Sequence, residues 1–189
     1  MMEMSATRKQ LDASAVDGML RDVSDFHIKF GFEPFKSFNH MPDTLVKFRE
    51  LFIVEEATEI FWADAEANWP GLLDGFIDLA YVAIGNFYLS GSGVSWQYDL
   101  PRPMLMSEFS DLSDGVQKPS WAPSYTLGLA NSCRQQAIIR GWNFDAGWNR
   151  VHAANISKVR AVDKSGKRKS TWDVVKPEGW VAPDLSDLV

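Results

Sequence analysis

The sequence predicts an all-α fold: a helical bundle built around an antiparallel helix hairpin, with a long irregular insertion and a short extended C-terminal tail. Two long stretches carry apolar residues at helical spacing: Leu45, Phe48, Phe52 and Ile60 in the first, Leu72, Phe76, Leu79 and Val82 in the second. Pro70 and Gly71 stand between them and mark a tight connection. With 189 residues, 46% of them hydrophobic and 23% charged, the chain is large enough to bury one core, so residues 1–189 are read as a single domain.

Leu11–Phe30 reads as the first helix. Val16, Met19, Leu20, Val23, Phe26 and Phe30 form its apolar face, and Gly31 stands where a helix stop belongs. His27 lies on or beside that face and reads either as a satisfied core residue or as a pocket residue. Residues 31–43, with Pro34 and Pro42, form a loop, and Asp43 is placed to cap the next helix. After the hairpin, Ser90–Gly93 opens an irregular region reaching Pro123, with Pro101, Pro103, Pro119, Trp96 and Trp121. So long a loop in a compact domain reads as a lid or as an oligomerisation arm. Tyr125–Arg140 is the next helix, stopped by Gly141, and Asp145 caps a last one over Ala146–Arg160. Residues 161–189 form a tail whose short extended segments pack Trp172 and Trp180 on the bundle.

Composition narrows the function. The net charge of −6 argues against nucleic acid and anionic membranes as partners. No run reaches the ~18 uninterrupted apolar residues of a membrane span, and the first ten residues lack the apolar core of a signal peptide. Cys133 is the single cysteine, so no internal disulfide forms, which fits a reducing cytoplasm. Asn155-Ile156-Ser157 matches a glycosylation acceptor, a chance match in that compartment. Walker, zincin and serine-hydrolase motifs are absent, and His27, His40 and His152 are scattered.

The acids of the hairpin are the informative residues. Glu55, Glu56 and Glu59 share one face of the first helix, and Asp74 and Asp78 one face of the second. Two unit charges about 4 Å apart repel by roughly 4 kcal/mol at an effective dielectric near 20, so such a cluster needs a cation or protonation. Oxygen-only ligands suit Mg²⁺, with Mn²⁺ as substitute. The plainer reading of Glu55, Glu56 and Glu59 is a solvated face. Asp78, embedded in FIDLAYVAIG, favours a ligand role, because a buried carboxylate without a partner is costly. Across Lys158–Lys169, six basic residues (Lys158, Arg160, Lys164, Lys167, Arg168, Lys169) face one acid, Asp163, which suits polyphosphate or a solvated turn.

These motifs resemble a family. E-E-x-x-E followed by D-G-x-x-D-L-x-Y, with D-F-H-x-K-F-G at Asp25–Gly31 and V-H-A-A-N-I-S-K at Val151–Lys158, is similar to the all-α NTP pyrophosphohydrolases. That superfamily includes MazG, the dimeric dUTPases, the dCTP pyrophosphatases and phosphoribosyl-ATP pyrophosphohydrolase. The MazG-like proteins of bacteriophages are the nearest in pattern, and the likeness does not cover roughly residues 90–140. The family's second motif is usually E-x-x-D, which places Glu where this chain has Gly75. Asp74 substitutes for it, or the site holds its ions with fewer ligands.

The resemblance implies a Mg²⁺-dependent hydrolase converting a (d)NTP to (d)NMP and pyrophosphate, trimming a nucleotide pool. It is expected as a homodimer or homotetramer in the cytoplasm, the host's if phage-encoded. Glu56, Glu59, Asp74 and Asp78 are then the metal ligands, Glu55 orients the attacking water, and Asn155 and Lys158 touch substrate. His27, Trp62 and Tyr81 are the further substrate candidates, the two aromatics reading equally as core. Two rivals stay open: a non-catalytic nucleotide-binding protein, a sponge or sensor, favoured by Gly75, and a structural helical module with exposed acids.

Overall fold

The computed structural model describes residues 13–92, 103–115, 117–161, 166 and 169–189, with the backbone alone for 13–16. Six helices run in chain order: α1 (Ala13–Lys29), α2 (Asp43–Ala65), α3 (Trp69–Leu89), α4 (Met106–Ser113), α5 (Pro123–Ile139) and α6 (Phe144–Ile156). Two short strands, β1 (Val159–Arg160) and β2 (Val174–Val175), pair antiparallel with Val159 opposite Val175. The all-α bundle expected from the sequence is therefore present, with a minor two-strand hairpin.

The bundle is organised around α3. Its sequence is apolar on nearly every side, which suits a helix surrounded by others. It packs against α1, α2, α5 and α6, and Leu72, Leu73, Phe76, Ile77 and Leu79 are fully enclosed. It is the one described helix long and apolar enough to cross a membrane, and 83% of that apolar window is covered by the rest of the fold. A second apolar cluster of Phe30, Phe32, Met41, Leu45, Phe48 and Leu89 lies where α1 ends, α2 begins and α3 ends.

The α2–α3 hairpin forms, but its turn lies earlier than Pro70-Gly71. Ala67 adopts φ +53, and the Asn68 side chain caps α3 by accepting from the Gly71 amide at 3.1 Å. Pro70 and Gly71 belong to the first turn of α3, where proline lacks only an amide that would go unused. Asp43 begins α2 with Pro42 before it, and Asn143, not Asp145, caps α6. Gly31 (φ +71) and Gly141 (φ +79) terminate α1 and α5 as expected.

The region expected to be irregular contains α4, whose Phe109 and Leu112 are buried in the main core, Phe109 against Phe76. The approach to α4 is fixed on α5: the Met104 amide donates to Ser132 at 2.9 Å, and Gln136 donates to the Met104 carbonyl at 2.8 Å. This part is core, not a lid; residues 93–102 lie outside the described residues. In the tail, Trp172 packs on Phe32, and Trp180 Nε1 donates to the Ala154 carbonyl at 3.1 Å, as anticipated for both indoles.

Gly75 has a packing reason. A Cβ there would stand 2.9 Å from Cγ1 of the fully buried Ile60, so the missing side chain lets α2 and α3 approach closely. A glutamate at this position has no room. In Gly75→Ala an overpacking cost of about 1–3 kcal/mol opposes a helix-propensity gain of about 1 kcal/mol, so the unfolding free energy should fall by up to about 2 kcal/mol. Denaturant unfolding checks this, and an unchanged or raised midpoint would show that Ile60 yields.

Candidate functional site

A cavity of about 410 Å³ opens between α1, α2, α3 and the C-terminal hairpin. Helical phase builds its main wall. On α2 the stripe Leu45, Phe48, Phe52, Glu55, Glu56, Glu59 lines it from end to end, passing from apolar to acidic. On α3, running the opposite way, Leu89, Val82 and Asp78 make the same passage. Phe26, His27 and Phe32 add an aromatic flank, and Asn155 and Lys158 enter from the end of α6. Trp172, Asp173 and Lys176 arrive on the tail.

The apolar end has a polar floor. Arg49 is buried, and its Nε donates to Asn86 Oδ1 at 2.6 Å while Nη2 donates to the Val82 carbonyl at 2.7 Å. Gly85 makes this possible, since a Cβ would lie 2.6 Å from Arg49 Nη2 and 2.9 Å from His27 Cε1. His27 Nδ1 donates to the Val23 carbonyl at 2.7 Å, which leaves the lone pair on Nε2. Burial, reinforced by the Arg49 charge, pushes the His27 pKa down to about 3, so the ring is neutral at ordinary pH.

The acidic end is a charge-balanced cluster. Asp78 is partly buried at the cavity wall; burial and then the Asp74 charge push its pKa up to about 7, with Lys158 opposing and Glu59 adding to the rise. Asp74 is raised in the same way, by burial and then Glu59, and Lys158 and Lys176 oppose. Burial lowers the Lys158 pKa, with Lys176 adding to the fall, while Asp78, Glu56 and Asp74 oppose it. The acids thus feel one another as expected, and lysines answer them.

That answer overturns the metal assignment. Among the described residues no group of three or more His, Cys, Asp or Glu side chains is gathered so as to hold a metal ion. Glu56 is buried, Glu59 is exposed, Asp74 does not line the cavity, and position 75 has neither a carboxylate nor space for one. Glu56, Glu59, Asp74 and Asp78 are therefore not a Mg²⁺ or Mn²⁺ site. With the ion goes the activated water, and with it the role of Glu55, Glu56 and Glu59 in hydrolysis; the pyrophosphohydrolase reading is corrected on this ground. The charge compensation assigned to a divalent cation comes instead from Lys158, Lys176 and protonation.

Of the other sequence-predicted residues, His27, Tyr81, Asn155 and Lys158 all reach the cavity. Tyr81 turns its ring to it and its hydroxyl to His152 Nδ1 at 3.0 Å, stacked on Trp148. Trp62 lies on the outer side of α2, 57% exposed beside Phe61 and away from the cavity. Of the basic run, Asp163, Lys164, Lys167 and Arg168 lie outside the described residues, and Lys169 is exposed. Arg49 and Lys176 were not foreseen. Arg49 had a signal, since it falls on the same helical stripe as Phe52 and Glu56; Lys176, in a tail without periodicity, had none.

Compared with protein-family models, with curated proteins and with solved structures, the chain matches none. The pyrophosphohydrolase resemblance rests on the motifs quoted above alone.

The raised Asp78 pKa predicts a pH-dependent stability. Between about pH 4 and pH 7 the folded chain holds the proton that the unfolded chain releases, so this group's contribution is complete at low pH and lost as pH rises through 7. Asp78→Asn, which mimics the protonated acid, should match wild type near pH 4 and become increasingly more stable than it as pH rises through 7. Thermal unfolding of both forms across that range is the test; a difference that does not grow with pH would refute it.

Proposed function

We propose that the chain is a nucleotide-binding protein that holds its ligand without cleaving it, acting as a sponge or a sensor. The observation that carries this reading is the polarity gradient of the cavity. Phe26, Phe32, Phe48 and Trp172 at one end offer apolar and π surface to a base, with His27 Nε2 among them as a hydrogen-bond acceptor. At the other end Asn155 and two lysines offer donors to a phosphate. A volume of about 410 Å³ is in the range of small-molecule pockets.

The lack of an assembled metal group supports binding over turnover. Cleavage of a phosphoanhydride requires groups that stabilise the transition state more than the ground state. Here Lys158 lies in the field of Asp78, Asp74 and Glu56, and Lys176 in that of Asp74, which offsets part of the charge in the resting site. The motif resemblance supports the nucleotide as ligand class, and a nucleotide pool within the cell as its setting.

Purified protein titrated with the eight common ribo- and deoxynucleotides and their nucleosides, with and without EDTA, should bind at least one of them. At a hundred times the dissociation constant the ligand should stabilise the fold by roughly 2.7 kcal/mol. Ligand recovered after prolonged incubation should be chemically unchanged. Conversion to monophosphate and pyrophosphate, or an unmoved melting temperature for every compound, would overturn the reading.

A further inference from the structure

Resting on the nucleotide reading above, we infer that Trp180 is a positioning residue for the phosphate end of the cavity: it does not line the cavity itself, and it acts by holding Lys158 and Lys176 side by side at the wall. The backbone brings the two lysines together from distant parts of the chain. β1 and β2 pair with Val159 opposite Val175 and Arg160 opposite Val174. Continued by one step, that register sets Lys158 opposite Lys176. The two feel one another, since the Lys176 charge adds to the fall of the Lys158 pKa. Like charges directly opposite across a strand pair are destabilising, so other groups must keep them in place. Asp74 and Asp78 each feel the charge of both lysines, and Trp180 adds a π face.

A local turn aims that face. Residues 177–180 form a tight turn in which the Trp180 amide donates to the Pro177 carbonyl at 3.1 Å. Gly179 takes φ +76 at its third position, the conformation that a type II turn requires there. The chain folds back, and the Lys176 Nζ just before the turn lies 4.4 Å from the Trp180 ring centroid. The indole is then pinned to α6, Nε1 donating to the Ala154 carbonyl at 3.1 Å. Lys158 follows the end of that helix, and its Nζ lies 5.6 Å from the same ring. A free lysine side chain loses rotamer entropy when a ligand orders it. An ammonium already held over a ring has given up part of that freedom on folding, which lowers the cost of binding. The ring contact is electrostatic, and each ammonium keeps N–H donors for a phosphate oxygen.

Calorimetric titration with the common nucleosides and their 5′-mono- and triphosphates tests this. The quantity read is the ratio of the nucleoside dissociation constant to that of its tightest phosphorylated form, measured on each variant, so that changes at the base end cancel. In the wild type the ratio should be about tenfold or more. Trp180→Leu, which keeps both lysines and removes the π face, should bring it to about threefold or less. Trp180→Phe, which keeps a ring without the Nε1 bond, should fall between the two. In a Lys176→Ala background Trp180→Leu should change the ratio less than it does in the wild type, because one of the ammonium groups it positions is already gone. If Trp180→Leu does not fold, Trp180→Phe paired with Lys176→Ala carries the same comparison. A wild-type ratio near unity, a ratio untouched by Trp180→Leu, a Trp180→Phe no better than Trp180→Leu, or independent effects in the double variant would each overturn the inference and leave the nucleotide reading standing. No binding of any nucleoside or nucleotide by the wild type removes both.

Discussion

A carboxylate on the most enclosed helix of the bundle must be neutralised, and the surroundings of Asp78 follow from that constraint. α3 is apolar over most of its surface and is packed among the other helices, yet it carries Asp74 and Asp78, which feel the charge of Glu59 on α2. An isolated buried carboxylate costs several kcal/mol. Lys158 comes from just beyond α6 and Lys176 from just beyond β2, and both oppose the rise in the acids' pKa. The C-terminal hairpin is thus more than a cover, because it carries the counter-charge that lets α3 keep its acids.

The same constraint separates two ways of stabilising an acidic cluster. A divalent ion concentrates positive charge at one point and demands that carboxylates converge on it. Two lysines spread the charge, need no convergence, and leave Glu59 free to sit at the exposed rim and Asp74 off the cavity wall. Gly75 is consistent with the second solution. A carboxylate at that position would have to displace Ile60, so close approach of α2 and α3 and a third metal ligand there are mutually exclusive.

Most of the fold was legible because helical periodicity and glycine stops are local signals. Gly31 and Gly141 end their helices, and the α2–α3 pair and α5 lie where the apolar spacing puts them, whereas α6 stops at Ile156 instead of reaching Arg160 and Val159–Arg160 form β1. Local signals failed where their meaning depends on position: Pro70-Gly71 reads as a break, yet proline in a first helical turn is compatible with helix, and Asn68 makes the cap. α4 was hidden because eight residues among several prolines carry too few repeats to show a period. The cavity wall was legible on α1, α2 and α3, where His27, Glu55, Glu56, Asp78 and Tyr81 line it; Asn155 and Lys158 were singled out by the motif resemblance, and Lys158 lies past the end of α6. What the sequence could not reveal was which cation meets the acids, since Lys176 lies about a hundred residues away along the chain. The outward Trp62 shows the opposite failure, an aromatic near the motif in sequence but on the other side of the helix.

Asp74, Asp78 and Asn86 interrupt the apolar surface of α3, and the acids and the amide are answered from different parts of the chain. Lysines of the C-terminal region serve Asp74 and Asp78, while Arg49 of α2 serves Asn86, and burial, reinforced by Arg49, keeps His27 of α1 neutral beside it. Both ends of the cavity are therefore fixed by contacts formed on folding. A ligand entering such a site meets rings and donors already in place, which reduces the ordering cost of association. It also meets lysines set among carboxylates, and among the described residues no group is gathered to hold a metal ion that would favour a transition state over the bound ground state. A cavity preset by folding, with lysines set against its acids, is suited to retention, and that is the physical basis of the binding role proposed above.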